Sequence, residues 1–291
     1  MKDILFIADS GCGIPDEYIK KYNVRIVGLK IHLDGKEYSD GVEFKDKFYD
    51  MMRKARSIPT TSQVLLNDFM DIFESAKKAG YKHILYTALS SKTSGTYQTA
   101  LTAASRVKGI EINVVDTYHV SIGAGLIAIR MMELIEDEGK SVNEVLSVFK
   151  KIYDNVYMQF IVDTLEYLHK NGRIGKAASI LGSLLNIKPI LGVEDGEVAV
   201  MSKVRGERRV MPQMINRMQM FFEGRNKKRL AFVWAADEMK KKMEKLMDLA
   251  HQSLKGENIE FITMRVWPTI AVHSGPQVYG MIAYGEKESL L

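Results

Sequence analysis

The chain has a single cysteine, Cys12, in 291 residues. One thiol cannot close an intramolecular disulfide, and its lone presence fits a reducing cytosol. No arrangement of histidine, cysteine and carboxylate has metal-ligand spacing, and no paired carboxylates stand out. Charge of either sign is scarce in excess: 41 lysines and arginines against 36 aspartates and glutamates leave +5, too modest to point to nucleic acid. Long apolar runs are missing too. The N-terminal run Ile4 to Ala8 ends at Asp9, short of a signal-peptide core, so no export is expected and a cytoplasmic protein is. The longest uncharged stretch, Val266 to Gly285, is broken by Pro268, His273, Ser274, Gly275, Pro276 and Gln277, so no transmembrane helix is read.

Phosphate-binding signatures are equally thin. A Gly-x-x-x-x-Gly-Lys-[Ser/Thr] loop is absent, and the fragment Gly11, Cys12, Gly13 lacks a third glycine and runs into Pro15. No aspartate cluster offers magnesium ligands, so the chain is not expected to act as a kinase by itself.

What is present is a 46% hydrophobic sequence long enough for two ordinary domains. In the first half, Ile4 to Ala8, Val24 to Leu29, His83 to Thr87 and Ile112 to Val115 read as buried strands. Helical spacing intervenes at Phe69, Ile72, Phe73, Ala76 and at Ala100, Ala103, Ala104, Val107. Alternation of this kind predicts an α/β domain with a mostly parallel sheet and helices on both faces, over residues 1–155. Ligands of such sheets sit beyond the carboxyl ends of the strands, where Ser10, Ser90, Ser91 and Ser94 fall. In the second half, Met158 to Val162, Val198 to Val204, Leu230 to Ala235, Glu260 to Val266 and Val278 to Tyr284 read as strands. Helices are expected at Ala177 to Leu185 and at Met239 to Leu254, the latter capped by Asp237. Glu194, Asp195, Gly196 reads as a hairpin turn. An α+β domain over 156–291 follows, with a ligand between the two.

Three polar stretches border apolar runs: Thr60 to Gln63, Ser94 to Tyr97, and His273 to Pro276. Hydroxyls and an imidazole at the mouth of an apolar cavity can hold a carboxylate while the walls hold its tail. A carboxylate leaving water needs such donors, or it neutralises. Gly95 permits close backbone approach, and a helix starting near Thr96 would add free N–H groups. The plainer reading makes Thr61 and Ser94 helix caps and His273 a strand-end histidine; Ser62 is equally readable as a cap.

Ala8, Asp9, Ser10, then Pro59 to Gln63, Ser90, Ser91 with Ser94 to Tyr97, then Gly172, Arg173, Ile174 and finally His273 to Pro276 resemble, in order and spacing, the DegV family. The resemblance spans essentially the whole chain. It implies a protein similar to the fatty-acid-binding subunit (FakB) of bacterial fatty acid kinase. Such a subunit holds a long-chain fatty acid and presents its carboxylate to an ATP-dependent partner kinase, whose acyl phosphate feeds phospholipid synthesis. On that basis Thr61, Ser62, Ser94, Gly95, Thr96, His273 and Ser274 are candidate ligand-binding residues, no residue is catalytic, and no cofactor or metal is needed. Arg173, Lys203 and Arg205 are the candidate partner-binding residues. Departures from the family pattern fall at Ala8 and Gly11, where hydroxyls are usual, at Gly175 in place of serine and at Gln277 in place of glycine.

Lys203 to Arg229 holds nine cationic residues against Glu207 and Glu223, a net +7. Its alternatives are a solvated face, an acidic partner or a transient contact with an anionic membrane; adjacent Phe221 and Phe222 are not spaced as stacking platforms, so nucleic acid is not expected. The seventeen methionines suit either an adaptable acyl tunnel or ordinary core. The rival function is a lipid hydrolase or acyltransferase using Ser94 and His273, although no Gly-x-Ser-x-Gly elbow surrounds Ser94.

Overall fold

The computed structural model describes residues 3–181 and 187–291. In the first half the strands are β1 (Ile4–Asp9), β2 (Arg25–Val27), β3 (Lys30–Leu33), β4 (Lys36–Ser39), β5 (Thr60–Ser62), β6 (His83–Ala88) and β7 (Glu111–Asp116). Four of them form a parallel sheet in the order β2-β1-β6-β7. Leu5 to Ala8 and Ile84 to Tyr86 are buried on both sides of their strands, as parallel strands covered by helices must be. The helices are α1 (Asp16–Tyr22), α2 (Lys45–Lys54), α3 (Leu66–Lys78), α4 (Thr96–Arg106), α5 (Ser121–Glu136), α6 (Val142–Ser147) and α7 (Phe149–Asp154). Phe69, Phe73 and Ala76 form the buried stripe of α3, one helical face as their spacing predicts.

The second half contributes β8 (Val156–Ile161), α8 (Glu166–Lys170), β9 (Ile187–Glu194), β10 (Glu197–Arg205), α9 (Val210–Phe222), β11 (Asn226–Trp234), α10 (Asp237–Ser253), β12 (Ile259–Arg265), α11 (Pro268–Ser274) and β13 (Tyr279–Glu286). They make a six-stranded sheet in the order β10-β9-β8-β13-β11-β12, antiparallel except for the β11–β12 pair. Alternation sorts its two faces. Leu230, Phe232, Met281 and Ala283 join Met214, Met218, Met243 and Leu246 under α9 and α10. Ala231, Val233, Ile282 and Tyr284 turn the other way and join the core of the first half.

Between the sheets lies α5, buried from Ser121 through Ile135. A helix apolar all round must be enclosed, and this one packs on β6 from one sheet and on β8 and β13 from the other. Its two inward charges are both paired. Arg130 Nε donates to Glu286 at 2.6 Å and Arg130 Nη1 to Glu138 at 2.6 Å. Glu133 is gripped by both terminal nitrogens of Arg229, whose Nε donates to Glu260 at 2.6 Å.

Four expectations need correction. The apolar run Val24 to Leu29 is not one strand: β2 ends at Val27, and Gly28 passes so near Asp40 that an added Cβ would lie 2.0 Å from its carbonyl oxygen. Strands β3, β4 and β5 form a separate antiparallel sheet in the order β4-β3-β5, which their short, partly polar sequences did not reveal. Asp237 is the first residue of α10 and makes no cap; Ala236 precedes it without a side-chain hydrogen bond. Residues 175–180 form a 3-10 turn, and the remainder of the expected Ala177 to Leu185 helix after residue 181 lies outside the described residues. Among the described residues no helix is long and apolar enough to cross a membrane.

Removing Arg229 takes from the buried Glu133 carboxylate its two hydrogen-bond donors and leaves only the looser ion pairs to Arg130 at 3.6 Å and Lys227 at 3.8 Å. Arg229→Met is expected to lower unfolding free energy by about 3–5 kcal/mol, and Glu133→Gln in the same chain to recover part of it. Urea denaturation of both variants checks this; an additive double variant would contradict the coupling.

Candidate functional site

The seam between the sheets is not filled along its whole length. Beyond the N-terminus of α5, and beyond the carboxyl ends of β1 and β6, a cavity holds about 930 Å³ of empty space, counting the part open to solvent. Leu29, Leu89 and Val120 line it from the first half. Met158, Phe160, Val198, Val233 and Ile282 line it from β8, β10, β11 and β13, with Val266, Ile270 and Val278 beside them. Its apolar lining with a few convergent polar groups is that of a small-molecule site. Polar groups enter from Thr61, Gln63, Thr93, Ser94, Ser121, Arg173, Thr269, His273 and Ser274.

Thr61 reaches the cavity because β5 pairs antiparallel with β3, and side chains alternate along it. Its neighbour Ser62 therefore points elsewhere and hydrogen-bonds His32 Nε2 at 3.0 Å. Thr61 Oγ1 and His273 Nε2 lie 2.8 Å apart. With the proton on Nε2, the imidazole donates to Thr61 and leaves the threonine O–H free for an acceptor in the cavity.

Ser94 stands at the turn into α4. Its Oγ accepts the Thr96 N–H at 3.2 Å and lies 2.9 Å from Thr96 Oγ1. Thr96 is fully buried and does not line the cavity; its Oγ1 accepts the Val64 N–H at 3.3 Å. With Thr96 donating its hydroxyl proton to Ser94, both of its bonds are used and Ser94 keeps its own O–H for a ligand. Thr96 orients Ser94, a role its motif position did not distinguish from direct contact.

Arg173, expected on the partner-facing surface near the mouth of the pocket, is among the residues that line the cavity. Its Nε donates to the Thr93 carbonyl at 3.1 Å and its Nη1 to the Asn171 carbonyl at 2.7 Å. Asn171 is in turn fixed by donating to Pro59 O at 3.3 Å and Val272 O at 3.1 Å. Carbonyl oxygens orient the guanidinium without neutralising it. Burial, and then the nearby Arg173 charge, push the His273 pKa down from 6.5 to about 3, so the imidazole is neutral near pH 7.

Of the expected ligand residues, Thr61, Ser94, Gly95, His273 and Ser274 meet around one cavity, whereas Ser62 and Thr96 stand behind it. His273 sits in the last turn of α11, not at a strand end. Lys203 and Arg205 are exposed on β10, away from the cavity lining. The basic segment is less free than its composition implied: Lys227, Lys228 and Arg229 are ion-paired, and Arg225 donates to Asn155 Oδ1 at 2.8 Å and Gly285 O at 2.6 Å. Thr93, Ser121 and Thr269 were missed, since none carries a motif; Ser121 is presented by a left-handed backbone (φ 54°), which sequence does not announce. No group of three or more histidine, cysteine, aspartate or glutamate side chains able to hold a metal occurs among the described residues.

A parallel sheet and a mixed sheet thus enclose an apolar cavity with a hydroxyl–imidazole–guanidinium end. A model of the DegV family of uncharacterised proteins matches residues 3–286, and the chain belongs to that family. A DegV domain-containing protein of Clostridium acetobutylicum is 32% identical over 282 residues, 97% of this chain and 98% of the relative. Among solved structures, a DegV family protein from Thermus thermophilus described for fatty acid binding shares 32% identity and a TM-score of 0.86, covering 98% of this chain and 100% of that one. A stearic acid-binding protein from Eubacterium ventriosum shares 25% identity and a TM-score of 0.86 over 99% of both chains.

The depressed His273 pKa makes stability depend on pH. Between pH 6.5 and about 3 the unfolded imidazole takes up a proton that the folded one refuses, so this contribution is full above 6.5 and shrinks as pH falls. Asp9 and Asp40, raised by burial from 3.8 to about 6, act in the opposite sense between those values, but equally in a variant that leaves them intact. Wild type is therefore expected to lose stability relative to His273→Gln as pH drops from 7 to 4. Urea midpoints measured across that range check it, and parallel curves would contradict it.

Proposed function

We propose that this chain binds a long-chain fatty acid, with the carboxylate among Thr61, Ser94, Arg173 and His273 and the tail along Met158, Phe160, Val198, Val233 and Ile282. In this reading it presents that carboxylate, in the cytoplasm, to an ATP-dependent partner kinase. The observation that carries it is one cavity joining an apolar wall to a guanidinium whose described hydrogen bonds go only to carbonyl oxygens. A bound carboxylate would supply the missing counter-charge through charge-assisted hydrogen bonds. Some fourteen buried methylenes at roughly 0.8 kcal/mol each provide on the order of 11 kcal/mol before ordering costs, so the polar end need only orient the ligand.

A carboxylate oxygen turned to the hydroxyls, with the guanidinium on its partner oxygen, keeps a lone pair for attack on the γ-phosphorus of ATP. The acyl phosphate forms as ADP leaves, on a nucleotide site belonging to the partner, and the product serves phospholipid synthesis. Exposed Lys203 and Arg205 on β10 are the proposed kinase-facing cations, with a transient anionic membrane contact as their second use. The hydrolase or acyltransferase reading loses support: Ser94 pairs with Thr96 while His273 pairs with Thr61, and buried His273 Nδ1 has no partner among the described residues to orient the ring as a base.

Denaturing extraction of purified protein, read by mass spectrometry, is expected to release a long-chain fatty acid in about equimolar amount. Protein that yields no acid and takes up no labelled acid would overturn the proposal, as would turnover of a lipid ester. Ser94→Ala is expected to weaken acid binding about tenfold. Lys203→Glu/Arg205→Glu should leave binding unchanged and slow acyl phosphate formation by the kinase; equal ligand loss in both variants would contradict this division.

A further inference from the structure

The helix that carries His273 into the cavity is capped from far away in the chain. Trp267, which precedes α11, contributes no side-chain cap. Instead Asp40, in the loop after β4, accepts the Thr269 N–H on its Oδ2 at 2.9 Å. A second group holds the same residue: Ser10 Oγ lies 3.2 Å from Thr269 Oγ1 and accepts the Leu29 N–H at 3.1 Å. The Asp40 N–H donates to Leu29 O at 2.9 Å, which closes the circuit. Leu29 and Thr269 line the cavity, whereas Ser10 and Asp40 stand behind it. His273 follows Thr269 at the i+4 position, about one helical turn along the same face, so a shift of the first is passed to the second.

Asp40 is a costly residue to place there. It is 3% exposed, and its Oδ1 is buried with no hydrogen-bond partner among the described residues. Burial raises its pKa from 3.8 to about 6, a sign that the site disfavours the charge. Stability alone is therefore a poor reason for a carboxylate here, since a neutral side chain would be cheaper to bury. Its benefit is a strong, fixed acceptor for one particular backbone N–H.

We propose that Asp40 is a positioning residue for the polar end of the cavity: through the Thr269 N–H it sets the height and rotation of α11, and so the place of the His273 imidazole against Thr61, with Ser10 bracing Thr269 from the parallel sheet. The inference rests on the fatty-acid reading of the cavity. It predicts that losing Asp40 harms recognition of the head group while sparing recognition of the tail.

The test compares a fourteen-carbon acid with the fourteen-carbon alcohol as competitors for a fluorescent fatty-acid analogue, on wild type, Asp40→Ala, Asp40→Asn and Ser10→Ala. Wild type should prefer the acid. Asp40→Ala should lose about tenfold of that preference, with alcohol binding within about twofold of wild type, because one charge-assisted hydrogen bond to the helix is gone. Asp40→Asn, whose amide oxygen can still accept the Thr269 N–H, should restore most of it, and Ser10→Ala should lose a smaller part. Should Asp40→Ala fail to fold, Asp40→Asn and Ser10→Ala decide by the same ratio. An acid-to-alcohol ratio equal to wild type in Asp40→Ala, or in Ser10→Ala where that variant decides, overturns the positioning role alone. Wild type that binds no acid overturns the ligand reading and this inference with it.

Discussion

One helix keeps two sheets from collapsing onto each other. Because α5 is buried along nearly its whole length, it must be enclosed, and the facing surfaces of the parallel and mixed sheets supply that enclosure together with α1, α6 and α7. Where α5 begins, at Ser121, the seam runs past its end and the cavity opens. The position of the cavity is thus a consequence of where an apolar helix starts. The paired charges of Arg130, Glu133 and Arg229 then fix that helix against β11, β12 and β13, so that the gap has walls of constant separation.

The polar end follows from a second constraint, the cost of leaving buried polar groups unmatched. Its parts are tied in pairs: Thr61 to His273, Ser94 to Thr96, Arg173 to the carbonyls of Thr93 and Asn171. Two of these contacts, Thr61 to His273 and Arg173 to Thr93, join elements remote in sequence, while Ser94 to Thr96 and Arg173 to Asn171 are local. Neutral hydroxyls and a neutral imidazole surround one cation, an arrangement suited to a single negative charge and too weak to hold two. Asp9 performs the comparable task on the parallel sheet, where it accepts from Tyr86 at 2.7 Å and from the Leu89 N–H at 2.9 Å and so binds the loop after β1 to the loop after β6.

The parallel sheet and the helices α3, α4 and α10 were legible because their signals are periodic and local, whereas α5, apolar without a one-sided stripe, was not read. Leu5 to Ala8 and Phe69, Phe73, Ala76 obey periods of two-sided burial and of 3.6 residues, and both appear where expected. The small sheet was not legible, since Thr60 to Ser62 gains its strand character only from pairing with β3. The same tertiary dependence hid the difference between Thr61 and Ser62, and between Ser94 and Thr96. Each pair is chemically alike, and only the direction of a strand or the first turn of a helix separates the residue that faces the cavity from the one that supports it. Thr269 and Ser121 had no motif at all; their places come from a cap donated by Asp40 and from a left-handed turn.

The mixed sheet ends, on one side, at β10. The 175–180 turn packs against that strand, and Lys203 and Arg205 stand exposed along it. A second copy of the molecule docking there in antiparallel alignment would bring lysine and arginine against lysine and arginine. Like charges brought together in this way disfavour sideways growth of the sheet.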